Sequence, residues 1–168
     1  TYLLFNNAIY GMTKGQFSPT TNLYQITKTS PFGLLGESVN PSALAIVYGA
    51  SFVARGFSVK KEHLRDLIVE AMLHRGFSFI EILSSCSSFN TTDMNVARII
   101  ANLEEVPAAH DPEDMIEAMK LATDKKKIYL GVLTRHQRPT LSDKLQAAGE
   151  KAQARGRQKF ENLLEQFA

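Results

Sequence analysis

The sequence predicts an α/β fold: a mostly parallel sheet with helices on both faces. Short apolar runs rich in branched and aromatic residues alternate with amphipathic stretches of helix length. The segments between successive runs are long enough for crossover helices rather than hairpins, which implies parallel neighbours. With 168 residues, 44% of them apolar, the chain is large enough to bury a core as one domain.

The first strand is Tyr2 to Phe5, an apolar run that reads as buried. It stops on two adjacent amides, Asn6 and Asn7, followed by a loop with glycines at 11 and 15. Ligands of open α/β sheets sit at the carboxyl ends of strands, so this is the candidate cofactor position. Residues 13–40 are rich in Ser, Thr, Pro and Gly without a period. A loop this long, placed straight after such a strand, is expected to be functional.

Asn40-Pro41 then reads as an N-cap with proline at the first helical position, starting a helix that runs to about Tyr48 and stops at Gly49. Ala50 to Arg55 follows as a short buried strand closed by Gly56. The clearest helix is Lys60 to Arg75, where Leu64, Leu67, Ile68, Ala71 and Met72 form one apolar stripe. Gly76 is expected as its left-handed C-cap, and His74 and Arg75 suit the negative end of the helix dipole. Phe77 to Leu83 is the next strand and leads into Ser84-Ser85-Cys86. Asp111 is expected to cap a helix that turns Met115, Ile116 and Met119 to the core; Ile128 to Leu133 follows as a strand. About Leu141 to Phe167 reads as a polar helical tail to the single domain, with 149–159 poorly anchored.

Composition narrows the function. A net charge of +2 is close to neutral and by itself argues neither for nor against nucleic acid or membrane, neither of which is expected as a partner. No apolar run approaches the roughly 20 residues of a membrane helix. One cysteine excludes an internal disulfide and suits a reducing, cytoplasmic compartment. His63, His74, His110 and His136 are too scattered to form a metal set and read as surface or capping residues. The acceptor pattern Asn90-Thr91-Thr92 would matter only in a secreted protein, and the basic run Arg155 to Lys159 reads as a solvated helix face. No nucleophile–base pair suggests a hydrolase.

The candidate site is richer. Mg²⁺ wants oxygen ligands, one or two from protein and the rest from phosphate and water. An Asn7 amide oxygen just past a strand and the Ile9 carbonyl two residues later supply two on one side. Taken alone, Asn-Asn before a glycine-rich loop reads more readily as a simple turn, because Asn and Gly tolerate left-handed backbone. Lys14 could pair with a phosphate or a carboxylate, or be solvated; Met12 could line a pocket or be core. Cys86, after a buried strand, could be a small hydrophobe.

The longer string Asn6-Asn7-Ala8-Ile9-Tyr10-Gly11-Met12-Thr13-Lys14-Gly15-Gln16-Phe17-Ser18-Pro19-Thr20 resembles the second half of the thiamine diphosphate motif in 2-oxoacid:ferredoxin oxidoreductase β subunits. Further segments resemble the same family in its order: Pro31-Phe32-Gly33, Gly49 to Arg55, His74 to Ser78, Glu81 to Asn90, Leu130-Gly131-Val132 and Arg138-Pro139-Thr140. The likeness covers roughly residues 1–145. It implies a thiamine diphosphate-binding fold, here without the family's upstream Gly-Asp-Gly segment. The chain is therefore expected to be amino-terminally truncated, or one piece of a larger polypeptide.

The resemblance also implies roles. Asn7 and Ile9 would bind Mg²⁺. Tyr10, Gly11, Met12, Thr13 and Gln16 would hold thiamine diphosphate, and Met12, Thr13 and Lys14 would cover the reacting groups. Cys86 would be the fourth thiolate of a [4Fe–4S] cluster whose other three ligands this sequence does not contain, although Ser85 and Ser87 stand where the family has proline nearby. The reaction implied is oxidative decarboxylation of a 2-oxoacid with coenzyme A, giving acyl-CoA, carbon dioxide and reduced ferredoxin. An α subunit would contribute the activating glutamate. The sequence is nearest to enzymes of 2-oxoglutarate, with pyruvate or a broad range of 2-oxoacids as the alternative. A non-oxidative thiamine enzyme and an inert or scaffold fragment are the remaining readings.

Overall fold

A computed structural model describes residues 1–154 and Gly156. Most of the basic run Arg155 to Lys159, and the tail anticipated up to Phe167, therefore lie outside the described residues. The chain forms two compact units, Thr1–Gln137 and Arg138–Ala168. In the second, α5 (Leu141–Ala154) has no buried residue and opens on a reciprocal cap. The backbone amide of Thr140 donates to Asp143 at 2.8 Å, and the amide of Asp143 donates back to the Thr140 hydroxyl at 3.2 Å.

The first unit is built on five strands: β1 (Tyr2–Asn6), β2 (Phe52–Phe57), β3 (Ser78–Leu83), β4 (Leu103–Glu105) and β5 (Ile128–Arg135). Their spatial order is β1-β3-β2-β5-β4. The pairs β1/β3, β2/β3 and β4/β5 are parallel, and β5 runs antiparallel to β2. One extra residue in β5 opposite the Val53/Ala54 step makes a bulge there. The four helices of this unit are α1 (Pro41–Val47), α2 (Lys61–Leu73), α3 (Val96–Asn102) and α4 (Met115–Thr123).

Alternation along the strands sends the helices to both faces. Phe52, Ala54, Ile80 and Ile82 point to α2 and pack with Leu67 and Ala71. Val53 and Phe79 point the other way, toward Ala43 and Ile46 of α1 and Ala118, Leu121 and Ala122 of α4. Phe57 and Leu83, further along that second face, meet Ile99 of α3. Helix α1 starts and stops as its sequence dictates. The Asn40 side chain accepts from the Ala43 amide, Pro41 follows it, and Gly49 (φ +81°) closes a Schellman pair with Ala50.

Several expectations fail in detail. The strand Tyr2 to Phe5 is not buried: β1 is an edge strand, and Tyr2 and Phe5 are 53% and 67% exposed. Gly56 does not end β2; it lies inside the strand, where a Cβ would meet Leu64 Cδ1 of α2 at 2.7 Å. Helix α2 ends at Leu73, so Gly76 is not its C-cap and Met72 is solvent-facing. The cap of α4 is Asp114, whose carboxylate accepts from Ile116 and Glu117, while Asp111 starts the preceding turn. Consequently Met115 and Ile116 are exposed and Ala118, Leu121 and Ala122 take the core positions. Helix α3 and strand β4 were not foreseen from the sequence.

A candidate cofactor site at the ends of two adjacent strands

Strand β1 ends in two stacked Asx turns. The Asn6 carboxamide oxygen accepts from the Ala8 amide at 3.0 Å, and the Asn7 oxygen accepts from the Ile9 amide at 3.2 Å. This geometry takes Ala8 to φ +52°, an uncommon conformation for a residue with a Cβ. Ala8 and Ile9 are buried at 4% and 3% exposure, so the turn is fixed from beneath.

Neighbouring groups occupy most of its carbonyls. The Asn90 side chain donates to the Asn7 carbonyl at 3.2 Å, and the Thr21 hydroxyl donates to the Ala8 carbonyl at 2.7 Å. The Tyr10 carbonyl accepts from the Gly15 amide and the Thr13 hydroxyl. Among the described residues no donor reaches the Ile9 carbonyl. A buried residue with an unengaged carbonyl, next to an Asn oxygen with a lone pair to spare, fits a hard cation.

The loop beyond is a tight reversal. The Tyr10 amide donates to the Gln16 carbonyl at 2.9 Å, and Lys14 (φ +65°) and Gly15 (φ +98°) make the turn. Tyr10, Met12, Thr13, Lys14 and Gln16 are exposed, and Gly11 is half-buried. Met12 is fully exposed, which rules out the core role left open for it. Asn7, Ile9 and Tyr10 line one end of a cavity of about 700 Å³, whose remaining wall includes Phe5, Leu44 and Phe79.

Cys86 lies past the end of β3, the strand beside β1. The Ser84 amide donates to the Asn6 carbonyl at 2.9 Å and fastens the two strand ends together. The Phe89 amide points at the Cys86 sulfur at 3.3 Å. Burial pushes the thiol up, but the amides of Phe89, Ser88 and Asn90 together outweigh it, so the thiol sits below its ordinary value. A sulfur ringed by amide donors fits a thiolate metal ligand. Among the described residues no group of three or more His, Cys, Asp or Glu side chains is gathered, so Cys86 has no co-ligands there.

The two loops touch. A Cβ on Gly15 would stand 3.3 Å from the Phe89 ring, and one on Gly11 would stand 3.6 Å from it. The Lys28 ammonium lies 5.7 Å from the centre of the same ring.

Sequence reasoning missed the supports of this site. Glu81 is 3% exposed and accepts from Asn6 Nδ2, Ser42 Oγ and Arg55 Nε at 2.8, 2.6 and 3.0 Å. Arg55, 6% exposed, also donates to the Ala122 carbonyl. A Glu and an Arg inside two runs otherwise read as buried strands was the signal that they pair. Thr20 stood in the motif string without a role; it donates to Asn6 Oδ1 at 2.7 Å. Of the histidines expected at the surface or at caps, His74 is the C-cap of α2, and two of them make further contacts. Nε2 of His74 lies 2.9 Å from Ser51 Oγ, and Nε2 of His110 lies 2.8 Å from the Leu133 carbonyl.

Comparison with known proteins gives the lineage. Residues 1–82 match the family model "Thiamine pyrophosphate enzyme, C-terminal TPP binding domain". Residues 86–150 match the model of the carboxyl-terminal region of the pyruvate ferredoxin oxidoreductase beta subunit. A 2-oxoacid:ferredoxin oxidoreductase subunit beta from Saccharolobus solfataricus is 36% identical over 73% of this chain and 42% of its own length. A 2-oxoglutarate oxidoreductase subunit KorB from Mycobacterium tuberculosis is 42% identical over 58% of this chain and 26% of its own. The chain thus spans less than half the length of these curated relatives. A structure of 2-oxoglutarate:ferredoxin oxidoreductase from Magnetococcus marinus, with 2-oxoglutarate, coenzyme A and succinyl-CoA bound, superimposes with a TM-score of 0.84. It is 35% identical, over 99% of this chain and 57% of that one. Matched end to end in fold, and by two family models in sequence order, the chain belongs to the β subunits of the 2-oxoacid:ferredoxin oxidoreductases.

Proposed function

We propose that this chain is the cofactor-bearing portion of a β subunit that, with an α subunit, oxidises a 2-oxoacid with coenzyme A. The products are an acyl-CoA, carbon dioxide and reduced ferredoxin, and the preferred substrate is 2-oxoglutarate. The observation that carries the reading is the Asx turn at Asn7, with the unengaged Ile9 carbonyl beside it, at the end of a strand whose neighbour leads to an amide-ringed Cys86. The relatives named for 2-oxoglutarate, and the bound molecules of the Magnetococcus marinus structure, support the choice of substrate. No described helix is long and apolar enough to cross a membrane, and the single cysteine suits a reducing cytoplasm.

In this reading Asn7 Oδ1 and the Ile9 carbonyl hold Mg²⁺, and Cys86 is one thiolate of a [4Fe–4S] cluster completed by residues outside this sequence. Thiamine diphosphate supplies the nucleophile and electron sink for decarboxylation, and the cluster a one-electron outlet. The chain's own residues bind and orient. Asn6, held by Glu81 and Thr20, sets the angle at which the turn leaves the sheet. Thr13, Lys14 and Gln16, all solvent-facing on a reversal fixed by Gly15, can close over an anion, with Lys14 countering phosphate or carboxylate charge. Tyr10, Gly11 and Met12 would face the cofactor, with Tyr10 on the wall of the cavity.

The test uses the full-length β subunit with its α subunit. Reduction of ferredoxin should require coenzyme A, thiamine diphosphate and Mg²⁺, and should be faster with 2-oxoglutarate than with pyruvate. Asn7→Ala should weaken cofactor binding at least about tenfold without unfolding the protein, since the cation has few protein oxygens to lose. Unchanged affinity in a magnesium titration would remove Asn7 from the site. Faster turnover of pyruvate would favour the substrate for which the second family model is named.

A further inference from the structure

Asn90 is 1% exposed and sits between the two loops just described. Its Nδ2 donates to the Asn7 carbonyl at 3.2 Å and, less closely, to the Ala8 carbonyl at 3.4 Å. Its Oδ1 accepts from Gln25 Nε2 at 2.8 Å, from the Asp93 amide at 3.2 Å and from the Met94 amide at 3.4 Å. One side chain therefore joins the Asn7 turn, the long loop through Gln25, and the chain leading from Cys86 into α3. Within the last of these segments, the Cys86 amide donates to the Met94 carbonyl at 3.2 Å and closes that loop on itself.

We infer that Asn90 is a positioning residue that locks the Cys86 loop to the metal-binding turn, so that Asn7 and Ile9 are presented to the cation by the loop that carries the cysteine. The inference rests on the functional reading above. A carboxamide suits this position because it must donate to two carbonyls and accept from three N–H groups at once, and only Asn or Gln combines an NH2 with two donor hydrogens and a separate acceptor oxygen. The contacts fix the backbone of the two residues that precede Ile9. They do not engage the Asn7 side-chain oxygen or the Ile9 carbonyl, the two oxygens that the functional reading gives to the cation. A buried donor pair that holds carbonyls away from the metal keeps those oxygens from competing for it. The Ile9 carbonyl stays unengaged, and the Asn7 oxygen keeps a lone pair beside its bond to the Ile9 amide.

The experiment is a double-mutant cycle in the full-length α/β complex, reading Mg²⁺-dependent thiamine diphosphate affinity by calorimetry and bound iron by colorimetric assay. Asn90→Ala should weaken cofactor binding about tenfold at a temperature where circular dichroism shows the protein folded. In the Asn7→Ala background the same change should cost less than about threefold, because one of the two oxygens it positions has gone. Asn90→Asp, which keeps the acceptor oxygens and loses the donor, should reproduce the effect; it decides the matter if the alanine variant fails to fold. Iron content should stay at the wild-type level in Asn90→Asp. Affinity within twofold of wild type, or equal penalties with and without Asn7, would overturn the inference. A wild-type complex that binds no thiamine diphosphate would instead overturn the functional reading, and the inference with it.

Discussion

Glu81 of β3 accepts the side-chain amide of Asn6 at 2.8 Å, across the strand pair β1/β3 and one residue before the Asn7 turn. The same carboxylate is in an ion pair with Arg55 on β2, directly opposite in register. A chain of supporting contacts thus crosses three strands and ends at the site. Removing one member leaves a buried, uncompensated charge, which costs about 3–5 kcal/mol. Arg55→Met and Glu81→Leu should each lower unfolding free energy by that order, and Arg55→Met/Glu81→Leu together by less than their sum. Denaturant titration of the three variants checks this; strict additivity would mean that the pair is not coupled.

The parts of the fold that were legible in the sequence are those where local chemistry and tertiary placement agree. Asn40, Pro41 and Gly49 bound α1 as their types require, and the Asn7-to-Gln16 string sits at a strand end. Placement across the sheet was not legible. Nothing in Tyr2 to Phe5 distinguishes an edge strand from a central one, because exposure is decided by what lies alongside. Asp111 and Asp114 are equally good caps on paper, and packing of Ala118 and Leu121 chose the second. Strand β4 is three residues long with two glutamates, too short to show a period. The site's ligand candidates followed from the motif, whereas Glu81, Thr20 and Asn90 act through distant partners that spacing does not reveal.

The long loop contains its own test. Gly33 has φ +89°, and a Cβ there would stand 2.8 Å from the Tyr24 carbonyl oxygen. That oxygen is backbone and cannot swing aside. The Tyr24 amide donates to the Leu34 carbonyl, so the clash would open the pairing that folds residues 22–34. Gly33→Ala should cost about 1–3 kcal/mol and make this loop the first site of limited proteolysis. Unchanged stability and digestion pattern would show that the loop relaxes freely.

His74 gives the fold a pH dependence. Its imidazole is held below the usual histidine value of 6.5, first by burial and then by the charges of Arg135 and His136, with Glu70 opposing. The folded state therefore resists protonation more than the unfolded state does. Its contribution is fully present above about pH 6.5 and declines as pH falls through the lower folded value. Stability should drop on acidification from pH 7 toward pH 5, and His74→Gln, which preserves a hydrogen-bonding partner for Ser51, should flatten that part of the curve. An identical slope in the variant would place the proton uptake elsewhere.

Cys86 separates a metal ligand from a packed thiol. The side chain rests against the cluster formed by Ala8, Phe57, Leu83, Met94, Ile99 and Leu130, which would suit a structural cysteine. The amides of Phe89, Ser88 and Asn90 favour the thiolate instead, and a structural thiol gains nothing from them. In the full-length α/β complex, Cys86→Ser should lower bound iron and bleach the broad visible absorbance of the cluster, because a hydroxyl is a poor replacement for thiolate toward iron. The isolated 168-residue chain, with one cysteine, should bind no cluster at all, since four thiolates are needed. Full iron content in Cys86→Ser, with only a modest loss of thermal stability, would return this residue to the core and move the fourth thiolate outside the chain.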